Sequence, residues 1–379
     1  MGGAEWSLFE LLGGIRKLAP DWRLHLIAGE EGPLVERVAR LGVEIDLAPF
    51  PPELARYGDA GGGPISAGVN SLRYARRLRA LLRSIRPRVL HTNGVKAHLL
   101  AAISTQAGTG VVWHVRDYLG ARRAASRLIR LAASTCHAAI AVSDSVARDL
   151  RSATGLGAAV HTVWNGVDME RFQPDGARLD LDAACGMEAP AGPVVRVGLV
   201  AAFARWKGHE VFLDALARLD PGSGVRGYIV GGPIYRTAGS QFDLDDLKRK
   251  AVALGLGGRT GFTGHVADPA AAIRALDIVV HASTQPEPFG RVIAEAMACS
   301  KPVVASNAGG AAEIVRAGED ALCHEPGDAA GLADRIAELA ASAGLRARLG
   351  AAGREKAIRR FDRMATARNV LSVYEKVFS

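Results

Sequence analysis

The sequence predicts an α/β chain of two domains, each built on a parallel sheet, and three observations carry that expectation. Short apolar runs of strand length recur along the chain with segments of helical spacing between them, the pattern of parallel strands covered by helices on both faces. At 379 residues the chain is long for one core and comfortable for two. A stretch of mixed composition, 175–193, holds Pro190 and Pro193 and separates two halves of similar strand–helix alternation; the linker is expected there.

The first half opens with Met1-Gly2-Gly3-Ala4-Glu5, followed by a helical pattern through Trp6, Leu8, Phe9, Leu11, Leu12 and Ile15. Read locally, Gly2 and Gly3 are a flexible end. Leu24–Ala28 reads as a strand, 34–41 as a helix, and Val43–Leu47 as a strand. Gly58–Gly68 is rich in Gly and Pro and predicts a loop. Ser71 is placed to cap a helix running to Arg86, with Leu72, Ala75, Leu78, Leu82 and Ile85 on its core face. Pro87 ends it, Val89–Thr92 begins a strand, and helix 95–107 and strand 111–115 follow. His114 and Arg116 lie two apart, so on an extended strand they share a face, and at a strand's carboxyl end they would point into a ligand crevice. A buried, hydrogen-bonded His114 is the other reading. Ala139–Ser143 is a strand and Ser145 begins a helix, after which Asn165-Gly166 marks a tight turn.

The second half starts with strand Val194–Val200 and the loop Ala201-Ala202-Phe203-Ala204-Arg205-Trp206-Lys207-Gly208, then helix 209–219. Gly227–Val230 is a strand with a Gly231-Gly232-Pro233 turn, 242–254 a helix, and Phe262–Asp268 a strand running into a loop that contains Val266. Helix 269–275 leads to the apolar run Ile278–Val280. Residues 281–314, HASTQPEPFGRVIAEAMACSKPVVASNAGGAAEI, then read as loop, helix Arg291–Cys299 and strand Val303–Ala305, with Pro302 closing the helix. A helix over 328–341 and a last one from Asp362, apolar through Val370, Leu371, Tyr374, Val377 and Phe378, complete the chain.

The chemistry concentrates in 281–314. Glu287 lies before the helix and Glu295 about two turns along it, so one ligand can meet both carboxylates. Between them the amides of Gly290, Arg291 and Val292 stand at a helix N-terminus, which suits a diphosphate. Read in isolation, two such glutamates are better explained as a solvated loop residue and a helix-surface one. Basic residues opposite those amides, Lys207 and Arg205, would complete a cationic cradle.

The wording EPFGRVIAEAMACSKPVVAS resembles the E-x7-E signature of the retaining, nucleotide-sugar-dependent glycosyltransferases of family 4. The similarity extends to Asn165-Gly166-Val167-Asp168 with Phe172 and Pro174, the family's interdomain signature. The resemblance implies the GT-B fold, two Rossmann-like domains whose parallel sheets face across a cleft. Residues 1–185 would form the acceptor-side domain, 190–360 the nucleotide-sugar domain, and 361–379 a helix returning to the first. The family's first strand precedes its Gly-Gly-x-Glu turn and is expected to be missing from this chain. The resemblance further implies that Glu295 holds ribose hydroxyls, Glu287 contacts the donor sugar, and Lys207 and Arg205 neutralise the diphosphate. It implies that the backbone around Val266 reads the base and that Phe289, Gly290, Arg291, Val292, Gly2 and Gly3 line the donor. Family members place a histidine near the transferred sugar. Arg116 occupies its slot here, leaving His114 to act from two residues upstream. Ala202 stands where the family has an arginine, and Arg205 is its local replacement. No metal and no cofactor are expected. The alternative function is a nucleotide-sugar-binding protein with little or no transfer activity.

Composition narrows the partners. Between Ser71 and Arg130 thirteen Lys and Arg residues face a single acid, Asp117, out of a net charge of +8. This window lacks the interleaved aromatics of a nucleic-acid surface; it reads equally as a solvated arginine-rich surface or as an anionic membrane face for an enzyme of cell-envelope glycans. Cys136, Cys185, Cys299 and Cys323 have no metal or disulfide spacing. No apolar run spans a bilayer and no leader pattern opens the chain, so the expected location is the cytoplasm, with peripheral attachment to the inner face of the membrane. No G-x-G-x-x-G follows a strand, which disfavours a Rossmann oxidoreductase.

Overall fold

A computed structural model describes residues 2–50, 64–120, 126–157, 159–233 and 239–378. The chain divides into two compact units, Met1–Gly166 with Arg363–Ser379, and Val167–Asp362.

The first unit contains α1 (Gly3–Leu18), β1 (His25–Ala28), α2 (Pro33–Ala39), β2 (Glu44–Leu47), α3 (Pro64–Ile85), β3 (Val89–Asn93), α4 (Val95–Ser104), β4 (Gly110–Val115), α5 (Ser126–Ala133), β5 (Ala138–Ala141), α6 (Asp144–Thr154) and β6 (Val160–Thr162). Its described strands form two parallel sheets, β1-β2 and β3-β4-β5-β6. Ser71 lies inside α3, which starts at Pro64, so the expected capping role does not hold. The expected loop Gly58–Gly68 becomes helix from Pro64, and its earlier part lies outside the described residues. The last helix of the chain packs against α1 in this unit. Leu11 and Ile15 of α1 and Val370, Val373 and Tyr374 of that helix share one core with Val112 and Ile140.

The second unit contains α7 (Leu181–Cys185), β7 (Val195–Val200), α8 (His209–Arg218), β8 (Val225–Val230), α9 (Leu244–Ala253), β9 (Thr260–Gly264), α10 (Pro269–Ala275), β10 (Ile278–His281), α11 (Arg291–Ala298), β11 (Val303–Ser306), α12 (Gly309–Ile314), β12 (Leu322–His324), α13 (Ala329–Ala341) and α14 (Ala343–Arg360). The final helix, α15 (Arg363–Phe378), belongs to the first unit. The sequence reading passes over α14, whose Gly350 packs so closely on the Ser300 carbonyl that a Cβ would lie 2.3 Å from it. All strands are parallel in the order β12-β11-β10-β7-β8-β9. The chain starts at β7, winds outward through β8 and β9, then returns to β10 on the other side. This reversal makes the β7–β10 seam a topological switch point, where loops leave in opposite directions and a crevice opens at the carboxyl ends.

Residues 175–193, expected to be a linker, are built into the second unit instead. Asp182 on α7 is buried and accepts from Arg226 Nη1 and Tyr228 Oη, each at 2.6 Å, and from Arg196 Nη2 at 3.0 Å. Arg274 clamps the same segment through the carbonyls of Arg171 and Ala177. Periodicity could not show this, because a short helix held by one polar side chain has little apolar pattern. Asp182→Ala strands three donors against β7 and β8. It should cost about 2–4 kcal/mol and lower Tm by several degrees in thermal unfolding; an unchanged Tm would return the segment to linker status.

Candidate active site

The 3-10 turn Arg205–Lys207 follows β7, and the loop 282–290 follows β10, so both emerge at the switch point. They meet because Gly208, with φ of +76°, lets the chain pass against the Ala282 carbonyl, where any Cβ would collide at 1.8 Å. Thr284 N–H donates to the Trp206 carbonyl at 2.8 Å and locks the two loops together.

Lys207 and Glu287 are thereby brought into contact, with Lys207 Nζ 2.5 Å from Glu287 Oε1. The ammonium also lies over the Trp206 ring, 4.1 Å from its centre. Glu287 is buried and its second oxygen, Oε2, is met by His281 Nε2 at 2.6 Å and by the Ser283 hydroxyl at 2.7 Å. Burial works against the carboxylate's charge. Lys207 and then His281 outweigh it and hold Glu287 well below the usual carboxylate range. His281 and Ser283 are site residues that the sequence reading missed. The available signal was a histidine closing β10, six residues before Glu287, at the carboxyl edge where side chains face the crevice.

Gly290 precedes α11 with φ of +91° and sits against Ala311 of α12, so Arg291 and Val292 open the helix at its positive dipole end. Arg291 Nη2 donates to Glu295 Oε1 at 2.8 Å, one turn on, in a partly buried pair. Val266 lies in the loop after β9. There Gly231 N–H donates to the Gly264 carbonyl at 3.1 Å, so the β8 and β9 turns lie side by side along the same edge.

Three expectations are corrected. Arg205 does not join Lys207: a 3-10 turn has three residues per turn, so two neighbours two apart point to different sides. Arg205 stacks over Phe242 and donates to the Gly239 carbonyl at 3.0 Å, lining a separate cavity with Glu210, Asp246 and Lys250. The Phe289 side chain is buried edge-on against Phe361, so only its backbone is near the crevice loop. His114, in the first unit, is 2 % exposed, with Nδ1 3.2 Å from His91 Nε2 and 3.3 Å from Arg116 Nη2. Desolvation, then Arg116, hold it well below the usual histidine range, so it is a neutral wall residue. Arg116 itself ties β3 to the 165–166 turn through Asn93 and Asn165, each at 2.5 Å. Gly2 and Gly3 start α1, where Glu5 accepts from the Gly2 N–H at 2.6 Å.

Two family models match the chain, Glycosyltransferase Family 4 over residues 1–171 and Glycosyl transferases group 1 over 194–356. The chain belongs to the family 4 glycosyltransferases. Among relatives, it is 34% identical over 191 residues to the lipopolysaccharide core biosynthesis glycosyltransferase LpsE of Rhizobium meliloti, covering 50% of each chain. It is 33% identical over 255 residues to a D-inositol 3-phosphate glycosyltransferase of Mycobacterium bovis, covering 65% of this chain and 49% of that one. The aligned part spans about half the length of these curated relatives. The fold is GT-B. Anabaena Alr3699/HepE, crystallised in complex with UDP and glucose, superposes with a TM-score of 0.81 at 25% identity, over 99% of this chain and 96% of that one. The sucrose-phosphate synthase of Thermosynechococcus elongatus shares the fold at a TM-score of 0.80 and 20% identity, over 100% and 94%.

Because the folded state lowers the pKa of Glu287, this family member gains stability from it at high pH and loses it at low pH. The contribution is fully present above the ordinary glutamate value of 4.5 and disappears as pH falls from there toward the folded-state value. In denaturant titrations, the unfolding free-energy gap between wild type and Glu287→Gln should shrink from about pH 6 to about pH 3. A gap independent of pH would show that Glu287 is not held ionised.

Proposed function

We propose that this chain is a retaining hexosyltransferase that moves a sugar from a UDP- or GDP-sugar to a glycan, lipid-linked or small-molecule acceptor without a metal. The observation that carries the reading is the Lys207–Glu287 pair at the β7–β10 switch point, beside the N-terminus of α11. As the bond between the sugar carbon and the diphosphate breaks, negative charge grows on the leaving phosphate. Lys207 and the positive end of α11 lie in place to receive it. The acceptor hydroxyl attacks from the face the phosphate leaves, and its proton passes to a phosphate oxygen, so no separate base is needed. Glu295, steadied by Arg291 on Oε1, offers its other oxygen to the ribose. UDP is favoured among bases by the UDP complex of the Anabaena structure.

Ala202 and the outward Arg205 favour the second reading, a nucleotide-sugar-binding protein, over full activity. Calorimetry with UDP- and GDP-sugars alongside product detection separates the two. If transfer occurs, Lys207→Ala should raise the barrier by about 2–4 kcal/mol, while Glu295→Ala should mainly weaken donor binding. Wild-type turnover in Lys207→Ala would remove the lysine from the mechanism.

An anionic membrane face is the proposed partner for delivering such acceptors. Helices α3, α4, α5 and α6 pack in sequence on one unit. Their outer residues combine Arg73, Arg76, Arg83, Arg127 and Arg130 with Leu72, Leu128 and Leu131, which are 57%, 56% and 72% exposed. Leu72 was expected in the core and instead stands among arginines. No described helix is long and apolar enough to cross a membrane. Binding to vesicles of anionic lipid should fall in high salt and in the double variant Leu128→Ser, Leu131→Ser. Sedimentation that ignores lipid charge would sink this part of the reading.

A further inference from the structure

Glu287 is held by more than the lysine that the proposed transfer uses. We infer that His281 and Ser283 are positioning residues, whose hydrogen bonds to one oxygen of Glu287 keep that carboxylate ionised and its other oxygen on Lys207. The inference rests on the transfer chemistry proposed above, and it names residues outside that chemistry.

The geometry fixes which proton His281 carries. Nε2 faces Glu287 Oε2, while Nδ1 is buried with no hydrogen-bond partner among the described residues. With Nδ1 unpartnered and Nε2 on Oε2, the ring donates from Nε2 to the carboxylate. The Ser283 hydroxyl donates to the same oxygen. Both donors are rigidly mounted: Ser306 of β11 donates to the Ser283 carbonyl at 2.7 Å, and His324 of β12 lies 3.3 Å from the His281 carbonyl. Neighbouring strands of one sheet thus aim the pair.

The chemical consequence concerns a proton. In a buried pair, moving the proton from lysine to glutamate removes two charges and competes with the ion pair. Donors to the carboxylate favour its ionised form and oppose that transfer. The other titratable groups around the pair are His209, beside Lys207 and itself held down to about 4 by burial and by Lys207, then His324, and the Arg291–Glu295 pair on α11.

The test uses the full chain with His281→Phe, which removes the donor, His281→Gln, which carries an N–H to a similar reach, and Ser283→Ala. The Glu287 carboxyl is titrated by carbon-13 NMR, and turnover is measured with UDP-glucose. His281→Phe should raise the Glu287 midpoint by about one pH unit or more, and Ser283→Ala should raise it by less. The Phe variant should lower kcat roughly tenfold to a hundredfold with a smaller change in KM, and His281→Gln should restore most of both. A folded Phe variant with the wild-type midpoint, or with wild-type kcat, overturns the inference. If His281→Phe does not fold, the Gln and Ala variants decide through the same midpoints. If wild type turns over no nucleotide sugar, the proposed function fails separately, and the carboxyl titration alone judges whether His281 and Ser283 control the pair.

Discussion

A buried carboxylate stays ionised only where a cation and hydrogen-bond donors meet it, and Glu287 imposes that requirement on the unit around it. Its cation comes from the loop after β7, and its donors come from the end of β10 and the loop beyond. These strands must therefore be neighbours although more than seventy residues separate them in sequence. Only the reversal of winding between β9 and β10 brings them together. Gly208 is the local expression of the same demand, since its left-handed backbone and missing side chain let one loop cross the Ala282 carbonyl. Removing either partner leaves a charge uncompensated in a poorly solvated place, which costs about 3–5 kcal/mol. The site and the sheet topology are thus one constraint seen at two scales.

Much of this architecture was legible because strands and helices differ in period. Four of the six strands of the second unit coincide with or overlap apolar runs; β9, Thr260-Gly261-Phe262-Thr263-Gly264, has one apolar side chain, and β12, Leu322-Cys323-His324, is too short to show a run. The spacing of Glu287 and Glu295 about α11 was also legible, as was the lysine opposite. Direction was not. Arg205 and Lys207 are both basic and two residues apart, and nothing in composition says that a 3-10 turn sends one to Phe242 and the other to Glu287. His281 was hidden for a different reason: a histidine ending a strand looks the same in sequence whether it touches solvent, backbone or a carboxylate. Asp182 illustrates the third kind of failure. One acid with three long-range partners generates no periodic signal, so a docked segment reads as a connector.

The first unit answers the histidine question in the opposite sense. His91, His98 and His114 are all desolvated, and burial pushes His91 and His98 down to about 3. His91 is bridged to Tyr374 of α15 at 2.6 Å, and His98 is stacked on Trp113. These rings serve as neutral polar struts that join β3, β4 and the returning helix. Arg116 adds its fixed charge to the same cluster and disfavours any second positive charge there. A histidine in that cluster is poorly suited to gain and lose protons near neutrality. A fixed guanidinium held by Asn93 and Asn165 is suited to defining shape.

Ala202 then fixes how the remaining charge in the second unit has to be shared. With no arginine there, and with Arg205 turned toward Gly239, the loop after β7 supplies one cation to the switch point, Lys207. That cation is already paired with Glu287. In the proposed transfer, its value to a departing diphosphate would depend on how firmly the carboxylate stays an anion and holds the ammonium by Oε1. Two donors on Oε2 meet both conditions. Arg291 cannot be counted as a free substitute, because its guanidinium is engaged by Glu295 one turn along α11. If the transfer proposed above holds, a loop that offers one cation to the switch point places more weight on how that cation is positioned, and the hydrogen bonds of His281 and Ser283 to Glu287 are what positions it.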